Sequence, residues 1–392
     1  MMNKIWDKGL KLDKKVEKFT VGNDFLIDMK LINYDCKASI IHAKMLNKIG
    51  VLSKVELKKI VDVLNEIINS NDFVINIEDE DCHTAIENYL IEKIGDIGKK
   101  IHTARSRNDQ VLTALRLYYL DNINNCDYLQ KEWIKSLKKF KKKFGTINFP
   151  GYTHFRKAMP SSIAMWSEAF IESSLDNAKL LKVSRKIMNK SPLGTAAGYG
   201  VPMKIDREFT AKEMGFGSNQ NPIYAQISRG KFEKILIHSL VQIMYDINKI
   251  SSDLILFSMD ELGYFQIPEK FCTGSSIMPQ KNNPDVLELL RAKYNNVRSY
   301  ESEVLNISSN LPSGFHRDFQ LTKEPTIKAI ETTLDCIKMI TMLFNELIVN
   351  EKKCNDALSG EIYATEKAYK LVEKGVPFRS AYKIIAKELS KK

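Results

Sequence analysis

Residues 273–285 read TGSSIMPQKNNPD, with a glycine, two adjacent serines and a lysine in one short polar stretch. Ser275 and Ser276 offer hydroxyls, Gly274 permits close backbone approach, and Lys281 brings a positive charge. Two further stretches share this character. HTARSRNDQ (102–110) carries Arg105 and Arg107, side chains able to grip a carboxylate through paired hydrogen bonds, with Asn108 beside them. PGYTHFRKAMP (150–160) carries Thr153 and His154, and histidine is the side chain best suited to proton transfer near neutrality. Read singly, each has a plainer explanation: a surface arginine pair, a structural histidine, a glycine turn before a helix cap. A cap accounts for Asn283, Pro284 and Asp285, but not for the serines with the lysine.

The chemistry therefore points to an anionic small molecule rather than a metal. The six histidines include no H-E-x-x-H, the six cysteines no C-x-x-C, and no glycine-rich phosphate loop occurs. The 392 residues carry 59 Lys+Arg against 48 Asp+Glu, a net charge of +11. No stripe of basic residues interleaved with aromatics accompanies that excess, so nucleic acid is not expected. The densest run, KKFKKKF (138–144), reads as the solvated end of a helix, where cations suit the dipole. The start of the chain lacks the apolar core of a signal peptide, and no run of about 18 apolar residues occurs. A cytoplasmic protein with scattered reduced thiols and no membrane span is expected.

The elements that must position these residues read as helices. Glycine and proline are absent from 110–144, 161–191, 231–262, 285–311 and 326–359, and apolar residues recur there at helical spacing. In the third window the series runs Phe232, Leu236, Leu240, Ile243, Ile247, Ile250, Leu254, Phe257, the seam of a long bundle helix. The expected fold is all-α, an elongated long-helix bundle with smaller helical terminal domains, divided at 1–105, 106–355 and 356–392. Shorter helical patches are expected at 33–49, 53–70 and 83–94. The three polar stretches precede three of the long helices, whose N-termini attract anions. A helix over 110–144 holds the first stretch roughly 50 Å from the second. If the loops cooperate, one chain cannot assemble the site, and a symmetric homo-oligomer with shared sites is expected.

GSSIMPQKNNP (274–284) resembles the hallmark of the fumarase/aspartase superfamily, G-S-x-x-M-x-x-K-x-N. Within it the chain is similar to the argininosuccinate lyase family through DEDCHTAIE (79–87), HTARSRNDQV (102–111), PGYTH (150–154) and PLGTAAGYG (192–200). IDRE (205–208), SDLILFS (252–258), RDFQLTKEP (317–325) and ATEKAYKLVEKGVPFRSA (364–381) extend the match in order along nearly the whole chain. The resemblance implies cofactor-independent elimination of argininosuccinate to arginine and fumarate, in arginine biosynthesis, by a homotetramer whose sites are each built from three subunits. It implies Ser275 as the base in a mobile loop, helped by Lys281, with His154 as the acid and Glu288 as its partner. Thr153 and Asn283 would bind carboxylates, and Ser276 would also contact the substrate. Ser106, Arg107, Asn108, Gln320, Lys323, Arg229 and Asp81 would hold the rest of the substrate. Alternatives on the same fold are a crystallin-like protein without activity and a sister lyase for another succinyl-type substrate. The departures are IWDKGL (5–10) near the start, Arg156 and Met159 for glutamines, Ile227 for a polar residue, Phe315 for a tyrosine and Arg317 for a lysine. The C-terminal region also looks shortened.

Overall fold

The computed structural model describes residues 13–390; the IWDKGL departure lies outside them. Five helices of more than twenty residues dominate: Arg107–Phe144, Ile163–Met188, Lys231–Phe257, Asp285–Ile307 and Lys323–Phe344. The all-α expectation holds. Every residue of the Phe232 to Phe257 seam is buried. Its spacing in steps of three and four puts those side chains on one face, which is what a helix needs to bury. Shorter helices precede it at Ile32–Lys48, Lys54–Asn69 and Cys82–Ile94, close to the expected patches. The second is started by a capping box in which Ser53 and Glu56 satisfy each other's backbone N–H.

Two compact units emerge, and neither is one consecutive stretch. The first comprises the chain up to Asn125, Lys182–Ile237 and Tyr300–Lys328; the second comprises Cys126–Leu181, His238–Ser299 and the chain from Ala329. The five long helices each contribute residues to both.

The aromatic core of the second unit gathers side chains that are far apart in sequence. Phe140 packs on Phe344 with ring centroids 5.3 Å apart, Trp133 on Phe344 at 4.9 Å, and Trp166 on Phe265 at 5.2 Å. Phe265 also belongs to a two-residue ladder, Phe265–Gln266 against Ile348–Val349, antiparallel.

The structure corrects the sequence reading in three places. The window 326–359 is not one helix. It stops at Phe344, gives the Ile348–Val349 strand, and restarts at Glu351, where Asn350 caps it. Absence of glycine and proline permits a helix but does not impose one, and here strand pairing claims the β-branched pair. PGYTHFRKAMP is a β-hairpin, Asn148–Thr153 against Arg156–Ser162. Asn283 does not cap the Asp285–Ile307 helix: the Pro284 carbonyl accepts its first N–H groups, from Leu287 and Glu288, and Asn283 lies one residue outside, paired with Thr273 in a two-residue ladder.

Phe140→Ala should cost about 3–5 kcal/mol, because the cavity it leaves is walled by rings that cannot close over it. A denaturant midpoint that stays at the wild-type value in that variant would contradict the packing.

Candidate functional site

In the first unit Arg107 begins a 38-residue helix. Its Nε donates to Asp81 Oδ2 at 2.6 Å and its Nη2 to Glu80 Oε2 at 3.1 Å. Asp81 is itself the N-cap of Cys82–Ile94, accepting the Thr84 N–H at 2.9 Å. Burial pushes the Asp81 carboxyl up, but His83, Arg107 and the Thr84 N–H outweigh it and hold it below the usual range. Glu80 reaches Arg107 from a left-handed conformation, φ +67°, which costs a non-glycine residue about 1 kcal/mol or more.

Lys323 is buried, unlike the partly exposed Arg107. Its Nζ lies 2.6 Å from Asp28 Oδ1 and 3.1 Å from Asp24 Oδ2. Burial pushes the ammonium down, but Asp28 and Asp24 overcome that and raise it. Burial pushes Asp24 up, against the pull of Lys323, to about 6. The other oxygen of Asp28 accepts the Cys82 N–H at 3.3 Å. Asp28, Cys82 and His83 present ligand atoms within 4.8 Å of one another. The spot is poor for a metal: Lys323 already supplies a cation to Asp28, and burial pushes the Cys82 thiol far up.

Arg229 is buried with its Cζ 4.9 Å from the Phe315 ring centroid and 5.6 Å from that of Phe319. Its Nη1 has no hydrogen-bond partner among the described residues, and burial lowers the guanidinium to about 10. Gln320 Nε2 donates to the Thr20 carbonyl at 3.0 Å, and Arg317 Nη2 to the same oxygen at 2.9 Å. Asp81, Arg107, Asn108, Arg229, Gln320 and Lys323 together line a cavity of about 100 Å³. Ser106 and Arg107 line a second cavity, of about 270 Å³.

The other expected residues lie in the second unit. Thr153 and His154 stand exposed at the hairpin tip, where His154 and Phe155 take φ of +53° and +56°. Successive positive φ values suit a two-residue turn between twisted strands. The hairpin is anchored by Phe149, packed on Phe257 at 5.6 Å, and by the Tyr152 and Tyr264 hydroxyls, 2.6 Å apart. Ser275 sits on a loop closed by the Thr273–Gly274 and Asn282–Asn283 ladder and by a hydrogen bond from Thr273 to Asp285. The Ser275 oxygen accepts the Met278 N–H at 3.2 Å and that of Ile277 at 3.4 Å. Two N–H groups aimed at one oxygen favour its anionic form. Ser276, Lys281 and Glu288 are exposed and Asn283 is half-buried. Among the described residues no side-chain hydrogen bond or ion pair links Ser275, His154, Lys281 and Glu288 to one another.

Sequence reasoning missed Asp24, Asp28 and Glu80. The acidic run IEDED signalled Glu80. Nothing local signalled Asp28, whose partner is 295 residues away. A buried pair was missed too: His83 Nδ1 lies 2.9 Å from Asp35 Oδ2, and Gln110 Nε2 donates to the same oxygen at 3.0 Å.

Comparison with known proteins places this geometry in a family. A family model described as Lyase matches residues 9–299. An argininosuccinate lyase of Thermotoga neapolitana is 51% identical over 99% of this chain and 98% of its own length. The chain belongs to the argininosuccinate lyase family. Argininosuccinate lyases of Bacteroides fragilis and Sorangium cellulosum are each 39% identical, over 99% and 100% of this chain and 88% and 91% of theirs. Among solved structures, an EDDS lyase in complex with formate superposes with a TM-score of 0.82 at 21% identity, covering 97% of this chain and 76% of that one. A class II fumarase from Schistosoma mansoni superposes at 0.81 with 16% identity, over 95% and 87%. These two establish the fold type expected from the superfamily resemblance. Among the described residues no helix is long and apolar enough to cross a membrane.

The His83–Asp35 pair makes a pH prediction for this argininosuccinate lyase family member. Burial pushes His83 down, but Asp35 reverses this and raises it above 6.5. Burial pushes Asp35 up, but His83 and Arg105 reverse that and lower it below 3.8. The histidine's contribution is complete below pH 6.5 and fades as pH rises through its raised folded value; the aspartate's is complete above 3.8 and fades as pH falls. Thermal midpoints should therefore decline above pH 6.5, and His83→Asn should flatten that decline. An unchanged alkaline slope in the variant would remove the pair from the account.

Proposed function

We propose that this enzyme eliminates fumarate from argininosuccinate, releasing arginine, as a cytoplasmic homotetramer serving arginine biosynthesis, with each site assembled from more than one subunit. The reading is carried by the 51% identity to an argininosuccinate lyase along the whole chain. The three-part division of the chain at 1–105, 106–355 and 356–392 belongs to the same reading.

The reaction removes a weakly acidic proton beside a carboxylate and expels a guanidinium nitrogen. Ser275 takes the proton. A free hydroxyl is far too weak a base, and the Ile277 and Met278 N–H groups on its oxygen lower the cost of the alkoxide. Lys281 then faces the doubly negative aci-carboxylate as the loop closes and excludes water. His154, supported by Glu288, protonates the departing nitrogen. Thr153 and Asn283 bind succinyl carboxylates and Ser276 also contacts the substrate, while Ser106, Arg107, Asn108, Asp81, Arg229, Gln320 and Lys323 hold the remainder. No cofactor enters this scheme. Chain order supports an oligomer with shared sites: a helix of 38 residues extends about 57 Å, with Arg107 at its start and Thr153 and His154 later in the chain than its end. Several copies packed antiparallel bring one copy's start beside another's end.

Purified protein incubated with argininosuccinate should show rising fumarate absorbance; an intact tetramer with no activity at high enzyme concentration would point instead to a crystallin-like role. Ser275→Ala should lower kcat by about 10²–10⁴-fold without disturbing assembly. Mixing subunits inactivated at His154 with subunits inactivated at Ser275 should restore part of the activity, since some hybrid sites are wholly unaltered. No restoration despite confirmed subunit exchange would exclude shared sites.

A further inference from the structure

The Asp109 carboxylate is fully buried and accepts three backbone N–H groups. Its Oδ1 takes that of Ser106 at 2.9 Å; its Oδ2 takes those of Gly194 at 2.8 Å and Ala196 at 2.9 Å. Ser106 is the residue before the Arg107–Phe144 helix. Gly194 and Ala196 belong to PLGTAAGYG (192–200), 85 and 87 residues further along. Both are left-handed, with φ of +82° and +50°, which turns their N–H groups toward one acceptor.

Arg207 grips the same loop through the Leu193 carbonyl and ties it to Gln220, which lies outside the loop. The Arg207 Nε donates to Leu193 O at 2.9 Å and its Nη2 to Gln220 O at 2.8 Å. Further along, Tyr199 of the loop approaches Gly314, the residue before Phe315 of the 100 Å³ cavity. A Cβ built on Gly314 would stand 3.8 Å from the Tyr199 hydroxyl, and the next residue, Phe315, lines that cavity. A Cβ on Gly198 would come within 2.6 Å of Gln226 Cγ, so the loop lies directly against that side chain. Asp109 itself lines neither the cavity of Arg107 and Lys323 nor that of Ser106.

We propose that Asp109 is a positioning residue that ties Ser106 and the 192–200 loop into one rigid piece and so holds the substrate-gripping side of the site in register. The proposal rests on the function above for its kinetic readout. Only a carboxylate fits the role. It presents two acceptor oxygens in opposite directions, whereas an asparagine must turn its NH₂ toward an N–H on one side and break a tie.

The test compares the wild type, Asp109→Asn and Arg207→Lys as assembled proteins. Steady-state kinetics on argininosuccinate are normalised to the folded fraction from circular dichroism, and amide exchange is followed by mass spectrometry. Asp109→Asn should raise KM about tenfold while kcat per folded subunit stays within about threefold, because ground-state grip is lost rather than the base. Arg207→Lys, at a half-exposed position, should raise KM about threefold. A merely structural role would lower the active fraction, and hence apparent kcat, with KM unmoved. KM within about twofold of wild type in Asp109→Asn, or in Arg207→Lys where the first variant fails to fold, overturns the proposal. Peptides covering 192–200 should also exchange faster in the variants. That readout needs no substrate, so a wild type inert toward argininosuccinate would refute the function while unchanged exchange would still refute the clamp.

Discussion

Lys323 is an ammonium almost wholly removed from water, and such a charge persists only beside partners of opposite sign. Asp28 and Asp24 are those partners, and much of the first unit is organised by that requirement. Asp28 also receives the Cys82 N–H, Asp81 caps the same helix, and Asp81 with Glu80 holds Arg107. Three stretches remote in sequence thus meet at the start of the Lys323–Phe344 helix. Deleting one member would strand another in low dielectric, a cost of about 3–5 kcal/mol. The cavity residues inherit their places from this arrangement: Gln320 precedes Lys323 by one turn, and Arg107 is fixed by the acids that begin the neighbouring helix.

The sequence was informative wherever one local rule governed. The seam from Phe232 to Phe257 is periodic because one face is buried, so its helix could be read directly. The family pattern around Ser275 and Arg107 was equally plain. What escaped was everything decided across the chain. Ile348 and Val349 adopt a strand because Phe265 and Gln266 offer an edge. The stretch around His154 looked like a polar connector because its strands are short and seldom buried, with two prolines, a glycine and two adjacent charges in place of alternation. Asn283 has cap chemistry, yet Thr273 recruits it into a ladder. Partners of Lys323 and of Asp109 sit at separations for which no short-range pattern exists.

The two groups of site residues also differ in how they are held. Those around Arg107 and Lys323 are braced by ion pairs and caps, with their charges already compensated. Ser275 and Lys281 stand on a short loop tied chiefly by backbone hydrogen bonds, and Glu288 in the first turn of the helix that follows it. In the proposed reaction the braced groups would set affinity, and the less constrained loop would close after binding.

The hairpin tip illustrates a conflict between folding and use. His154 and Phe155 occupy left-handed backbone, which glycine would adopt at no steric cost and which β-carbon-bearing residues pay for by about 1 kcal/mol each. The Tyr152–Tyr264 contact and the Phe149 packing absorb that cost. The best residue for the turn and the best for the proton transfer proposed for His154 are therefore different residues at one position. Selection for stability alone would favour glycine or asparagine at position 154, so under the proposed acid role the imidazole is kept there at the expense of the turn.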